Sequence, residues 1–203
     1  MWNAGQTCVS SKRFIIHKDI YDAFTKKLAE VVSGYKLGDP MNEDVTLGPL
    51  GREELLVRLK DQVRAAIKGG ARVVYGDEKQ IDKTGEGNFF SPIFLEGMDK
   101  SNPSYEEEFF GPVFILFKAE SEEEAIKLAN DSNSGLGGCV ISTNLERAER
   151  VALQIESGMV GINGGMPRNS YLPFGGVKNS GYGRECGEQG LRYFTNMKTI
   201  AVL

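Results

Sequence analysis

Hydrophobic positions along the chain change period several times, and each change marks an element. RFIIH (13–17) is a short β-rich run and predicts a strand. Ile20, Tyr21, Phe24, Leu28, Val31, Val32 and Tyr35 then recur at the spacing of one helix face. The polar stretch KLGDPMNEDVTLGPLG (36–51) carries Gly and Pro stops and reads as a loop. Leu55, Leu56, Leu59, Val63, Ala66 and Ile67 make a second helical stripe, closed by Gly69-Gly70. ARVVYG (71–76) predicts a strand, FFSPIFLEG (89–97) an extended segment, and FGPVFILFKAES (110–121) a strand apolar enough to be buried on both faces.

Ser121 is a suitable N-cap for a short helix over Glu122–Asn130. GCVIST (138–143) and MVGIN (159–163) predict strands around a helix marked by Leu145, Ala148, Val151, Ala152 and Ile155, which Gly158 is expected to end. A long glycine-rich loop, a short helix near 186–194 and a last strand, TIAVL (199–203), complete the chain. Strand and helix alternate throughout, so the expected fold class is α/β, a three-layer domain with a mainly parallel sheet over 1–203. No internal repeat and no linker-like stretch divides it.

Composition narrows the function classes. Of 203 residues, 40% are hydrophobic and 26% charged, ordinary for a soluble globular protein. The net charge is −4 and the cations are scattered, which argues against nucleic acid. No apolar run approaches the roughly 18 residues of a membrane span. The N-terminus lacks the order of a signal peptide. Cys8, Cys139 and Cys186 have no metal-ligand spacing, and so few cysteines suit a reducing cytoplasm. The 25 glycines gather in short clusters, where a chain turns tightly or lets something approach its backbone.

Three segments carry candidate chemistry. Cys8, in NAGQTCVSSKR, lies just ahead of Lys12 and Arg13, and nearby positive charge favours a reactive thiolate. Gly5 removes a side chain where a substrate would approach. A small buried hydrophobe is the other reading of Cys8. YEEEFFGPV (105–113) sets three carboxylates before two aromatics and a Gly-Pro turn; it is either a solvated acidic loop or a strand edge able to accept hydrogen bonds from ribose hydroxyls. PFGGVKNSGYGRE (173–185) reads as a long mobile loop whose spacing fits no phosphate-binding motif. GLGG (135–138) precedes a strand rather than following one and reads as a turn. His17, the sole histidine, reads as surface decoration.

Taken in order, these segments resemble the NAD(P)-dependent aldehyde dehydrogenase superfamily. LGDP and LGPL in the 37–50 loop, NFFSPIFLEGM, ANDSNSGLGGCVIST and GMVGIN agree, so the resemblance covers essentially the whole chain. The look is nearest the branch that includes succinate-semialdehyde dehydrogenases. In that superfamily the cysteine motif lies near the middle of a longer chain. The sequence therefore resembles the C-terminal catalytic half, and Met1 reads as an added or secondary start.

The resemblance implies roles. Cys8 matches the nucleophile that forms a thiohemiacetal and then a thioester, with Thr7 and Val9 beside it at the substrate. Glu108 matches the glutamate that holds the nicotinamide ribose, and Phe110 the aromatic beside the nicotinamide ring. Phe174 matches an aromatic of the substrate tunnel. Glu185 matches a glutamate linked to proton or water handling. Arg168 is a candidate for gripping a distal carboxylate. The tail from about 186, ending in TIAVL, matches a strand used in subunit assembly. The implied cofactor is NAD or NADP, with no metal. Matches to the Rossmann cofactor domain and to the general-base glutamate are missing, so the chain alone is expected to have little activity. A partner chain carrying that domain, and self-association through an exposed face, are the expected partners. A non-catalytic assembly or binding module of the same descent is the alternative, and an esterase-like thioester former a third.

Overall fold

A strand that is apolar on both faces needs cover on both, and the first part of the chain is built around one. The computed structural model describes residues 1–82, 87–165 and 169–203. The chain forms two compact units, 1–129 and 130–203. In the first, β4 (Val113–Ala119) is buried at every position except Lys118. It lies between β1 (Arg13–His17) and β3 (Ile93–Glu96), parallel to both. β2 (Arg72–Tyr75) adds antiparallel to β3, giving a mixed sheet of order β1-β4-β3-β2.

Side chains alternate across a strand, and the two faces of β4 meet different helices. Val113, Ile115 and Phe117 share a core with Leu56, Leu59, Val63 and Ala66 of α2 (Glu53–Lys68). Phe114 and Leu116 pack with Ile16 and with Tyr21 and Val32 of α1 (Lys18–Ser33). The first unit is thus the expected three-layer arrangement, with parallel pairing dominant. His17 has a task here: its Nδ1 accepts the Asp19 N–H at 3.4 Å and caps α1. α2 starts with Glu53 and Glu54 and ends with Lys68, the charge order its dipole favours.

The chain enters the second unit at the last residue of α3 (Glu122–Asn130). There β5 (Ser134–Gly135) pairs antiparallel with β8 (Val177–Lys178). β6 (Gly137–Val140) pairs parallel with β7 (Met159–Ile162), joined through α4 (Leu145–Ala152). α5 (Gly187–Tyr193) follows near the end.

Four expectations are corrected in this unit. GLGG is no turn, since Gly135 and Gly137-Gly138 lie in β5 and β6. Gly158 does not end α4, which stops at Ala152; a Cβ there would stand 1.9 Å from the Gly175 carbonyl oxygen, so glycine is needed for backbone contact. The 173–185 loop is tied down by β8, by a Phe174–Glu185 bridge, and by Arg184, whose guanidinium donates to the Gly176 and Gly183 carbonyls at 2.7 Å each. TIAVL forms no strand and is exposed, because β-propensity without a neighbouring strand has no ladder to join. Among the described residues no helix is long and apolar enough to cross a membrane.

Candidate active site

The cysteine segment is shaped by an unusual backbone. Asn3, Ala4 and Gly5 all have positive φ, at 50°, 54° and 78°. Side chains hold this turn: Asn3 Nδ2 donates to the Gln6 carbonyl at 3.1 Å, and Gln6 Nε2 donates to the Asn3 carbonyl at 3.0 Å. Gln6 Oε1 also accepts the Gly51 N–H at 2.9 Å, anchoring the segment ahead of α2. Gly5 is required because a Cβ would stand 2.3 Å from the Gly111 carbonyl oxygen. What comes close to Gly5 is therefore the Gly-Pro turn of its own chain, where the sequence suggested a substrate.

Cys8 follows in a tight turn, exposed and free. The Ser10 N–H donates to the Thr7 carbonyl at 3.1 Å, and the two hydroxyls stand 2.5 Å apart. Val9 is exposed and Thr7 half-buried. The buried-hydrophobe reading of Cys8 is thereby overturned.

The two cations after Cys8 part company, as alternation along a strand requires. Arg13 turns to the core, where Nη2 donates to the Tyr105 hydroxyl at 3.0 Å and the Leu128 carbonyl at 2.9 Å, its guanidinium over the Tyr105 and Phe117 rings. Lys12 turns to the cysteine turn. Its Nζ donates to the Gly5 carbonyl at 2.8 Å and the Thr7 carbonyl at 3.3 Å, and lies 4.9 Å from the Phe110 ring centroid. Burial pushes the Lys12 ammonium below the usual lysine value, while the negative charges of Glu108 and Cys8 pull the other way.

Among the three glutamates, Glu107 is drawn to α2. Gln62 Nε2 donates to Glu107 Oε2 at 2.7 Å and to the Glu108 carbonyl at 3.2 Å, and Arg58 stands 3.9 Å from the same carboxylate. Glu108 stays exposed, Phe109 enters the core, and Phe110 is half-buried. Glu108 and Phe110 line a cavity of about 140 Å³ with Leu55, Arg58, Leu59 and Gln62. A carboxylate beside an aromatic face suits a hydroxylated sugar joined to a flat ring, so these residues fit one end of a nicotinamide dinucleotide. Among the described residues no group of three or more His, Cys, Asp or Glu could hold a metal.

The structure therefore gathers Cys8, Lys12, Glu108 and Phe110 in the first unit. In the second it pairs Phe174 with Glu185: each N–H donates to the other's carbonyl, at 2.7 and 2.6 Å. Arg168 lies outside the described residues. Sequence reading missed Gln62 and left Lys12 undecided. Gln62 had a signal, being a polar residue on the buried stripe between Leu59 and Ala66.

The model of the aldehyde dehydrogenase family matches residues 1–200. The succinate-semialdehyde dehydrogenase [NADP(+)] of Deinococcus radiodurans is 41% identical over 98% of this chain and 41% of its own length. The glutarate-semialdehyde dehydrogenase of Pseudomonas putida is 38% identical over 98% of this chain and 41% of its own. The solved succinic semialdehyde dehydrogenase of Streptococcus pyogenes, in complex with NADP+, superposes with a TM-score of 0.92 at 46% identity, over 99% of this chain and 44% of that one. This chain spans about two fifths of the length of these relatives.

Proposed function

The chain belongs to the aldehyde dehydrogenase family, and from that premise we propose that it supplies the nucleophile and the nicotinamide-side contacts for NAD(P)-dependent oxidation of an aldehyde to its acid. The observation that carries this reading is the exposed Cys8 thiol in a turn that Lys12 holds by the Thr7 carbonyl, with Lys12 in turn lying on the ring of Phe110, which shares a cavity with Glu108. The relatives' names point to a dicarboxylic semialdehyde as the substrate class.

Cys8 Sγ adds to the aldehyde carbon, and the thiol proton ends on the former carbonyl oxygen as the thiohemiacetal forms. The Cys8 backbone N–H would donate to the developing oxyanion, which needs donors already in place. When bound, the nicotinamide cofactor supplies the two-electron acceptor. Glu108 would hold its ribose and Phe110 would flank its ring. Loss of two electrons and two protons from the adduct leaves a thioester on Cys8. Water then attacks the acyl carbon, the acid departs and the thiol is restored.

Thioester formation can be tested on this chain without a cofactor. With p-nitrophenyl acetate, Cys8 is expected to release about one equivalent of p-nitrophenolate in a burst and to carry an acetyl group by peptide mass spectrometry. In Cys8→Ala both signals are expected to vanish. A burst that persists in Cys8→Ala, or acetylation confined to Cys139 or Cys186, would overturn the assignment.

A further inference from the structure

Lys12 does three things at once. It donates to the carbonyls of Gly5 and Thr7, the residues leading into Cys8. It lies on the Phe110 ring, and so joins the cysteine turn to the segment that carries Glu108. It also brings a positive charge to the turn that carries the exposed Cys8 thiol, where its pull on an incoming anion is open to screening by salt. Arg13, the other cation nearby, turns its guanidinium to the core.

We propose that Lys12 is a specificity-determining and positioning residue: it fixes the Cys8 turn against Phe110 and makes the thiol react in preference with electrophiles that carry negative charge. The inference rests on Cys8 being the nucleophile. It adds the class of electrophile that the site favours and the group responsible.

The test compares iodoacetate with iodoacetamide at Cys8, in a Cys139→Ser, Cys186→Ser background. In both reactions the sulfur forms a bond to the methylene carbon and iodide leaves. The reagents differ in charge, so their rate ratio reports the charge at the thiol, while thiolate fraction and access cancel. A purely structural role for Lys12 would change both rates together and leave the ratio alone. Lys12→Met is expected to lower the iodoacetate-to-iodoacetamide ratio by about threefold to tenfold, the size of one partly screened charge. Lys12→Arg, which keeps the charge and the donors, is expected to retain it. The protein without a Lys12 substitution offers a second measure, free of any folding defect in Lys12→Met: raising the salt should bring its ratio down toward that of a free cysteine peptide.

A ratio unchanged in Lys12→Met, or insensitive to salt, overturns the inference while leaving Cys8 as nucleophile. A ratio lowered equally in Lys12→Arg and Lys12→Met overturns the role of the charge. A Cys8 that reacts with neither reagent faster than a free cysteine peptide overturns the functional assignment and this inference with it.

Discussion

Phe94 and Phe194 carry the same side chain, yet one is fully buried and the other 86% exposed. The contrast runs through the two units. The first is held by apolar burial: the residues around β4 form two continuous cores, one against each helix. Among the described residues of the second, only Ala148 and Met159 are buried hydrophobics, while Leu153, Tyr182, Leu191, Phe194 and the end of the tail are exposed. This unit is held instead by polar groups and close backbone contact. Asn130 donates to the Gln154 carbonyl and accepts from the Glu156 N–H, both at 2.8 Å, and Lys178 donates to the carbonyls of Asn130 and Ser132 at 2.7 and 3.0 Å. Gly135, Gly158 and Gly161 each have backbone where a Cβ would go. Burial is non-directional and tolerates imprecise partners, whereas backbone-on-backbone contact leaves no room for a methyl group.

The sharpest way to break the comparison is to truncate each phenylalanine. Phe94→Ala is expected to cost about 3–5 kcal/mol through lost transfer energy and the cavity left behind. Phe194→Ala is expected to cost under about 0.5 kcal/mol, as exposed sites do. Urea unfolding midpoints measure both, and equal losses would erase the distinction drawn here.

Gly158→Ala probes the backbone contact. The added methyl would run into the Gly175 carbonyl, and an expected cost of about 1–3 kcal/mol follows from overpacking. Amide exchange should rise across β5 and β8. Unchanged exchange there would mean that the contact can relax freely.

A smaller effect concerns the polar groups that the first unit does bury. Tyr21 donates to Glu96 Oε2 at 2.6 Å, and Glu96 also meets Arg72 at 2.8 Å. Burial, then the bond to Glu96, raises the Tyr21 phenol above its ordinary value of 10.0. The folded chain therefore keeps a proton that the unfolded chain loses above that pH. The stabilising contribution is complete below pH 10.0 and declines as pH rises beyond it. Tyr21→Phe should flatten that alkaline decline in thermal midpoints; an equally steep decline in the variant would locate its source elsewhere.

In the first unit α1 and α2 were legible from the helical spacing of their apolar positions, and β4 from an apolar run without alternation. In the second unit the same reasoning found β6, α4 and β7 but misread glycines. A glycine needed for close approach looks in sequence like one needed for a turn, and only the neighbour's position tells them apart. β5 and β8, two residues each, are too short to show any period.

The sequence by itself determined the alternation of strand and helix, the apolar character of the central strand, and Cys8 and the three glutamates at 106–108 as candidates. Each of these rests on residue type and local spacing. Tertiary structure alone decided which cation turns to the cysteine segment and which to the core. Lys12 and Arg13 are adjacent and equal in charge, and one step of strand register exchanges their faces. It likewise decided which glutamate stays at the cavity, because Gln62 and Arg58, some 45 residues away in the chain, draw Glu107 to α2. Such choices depend on long-range partners, and local spacing carries no information about them.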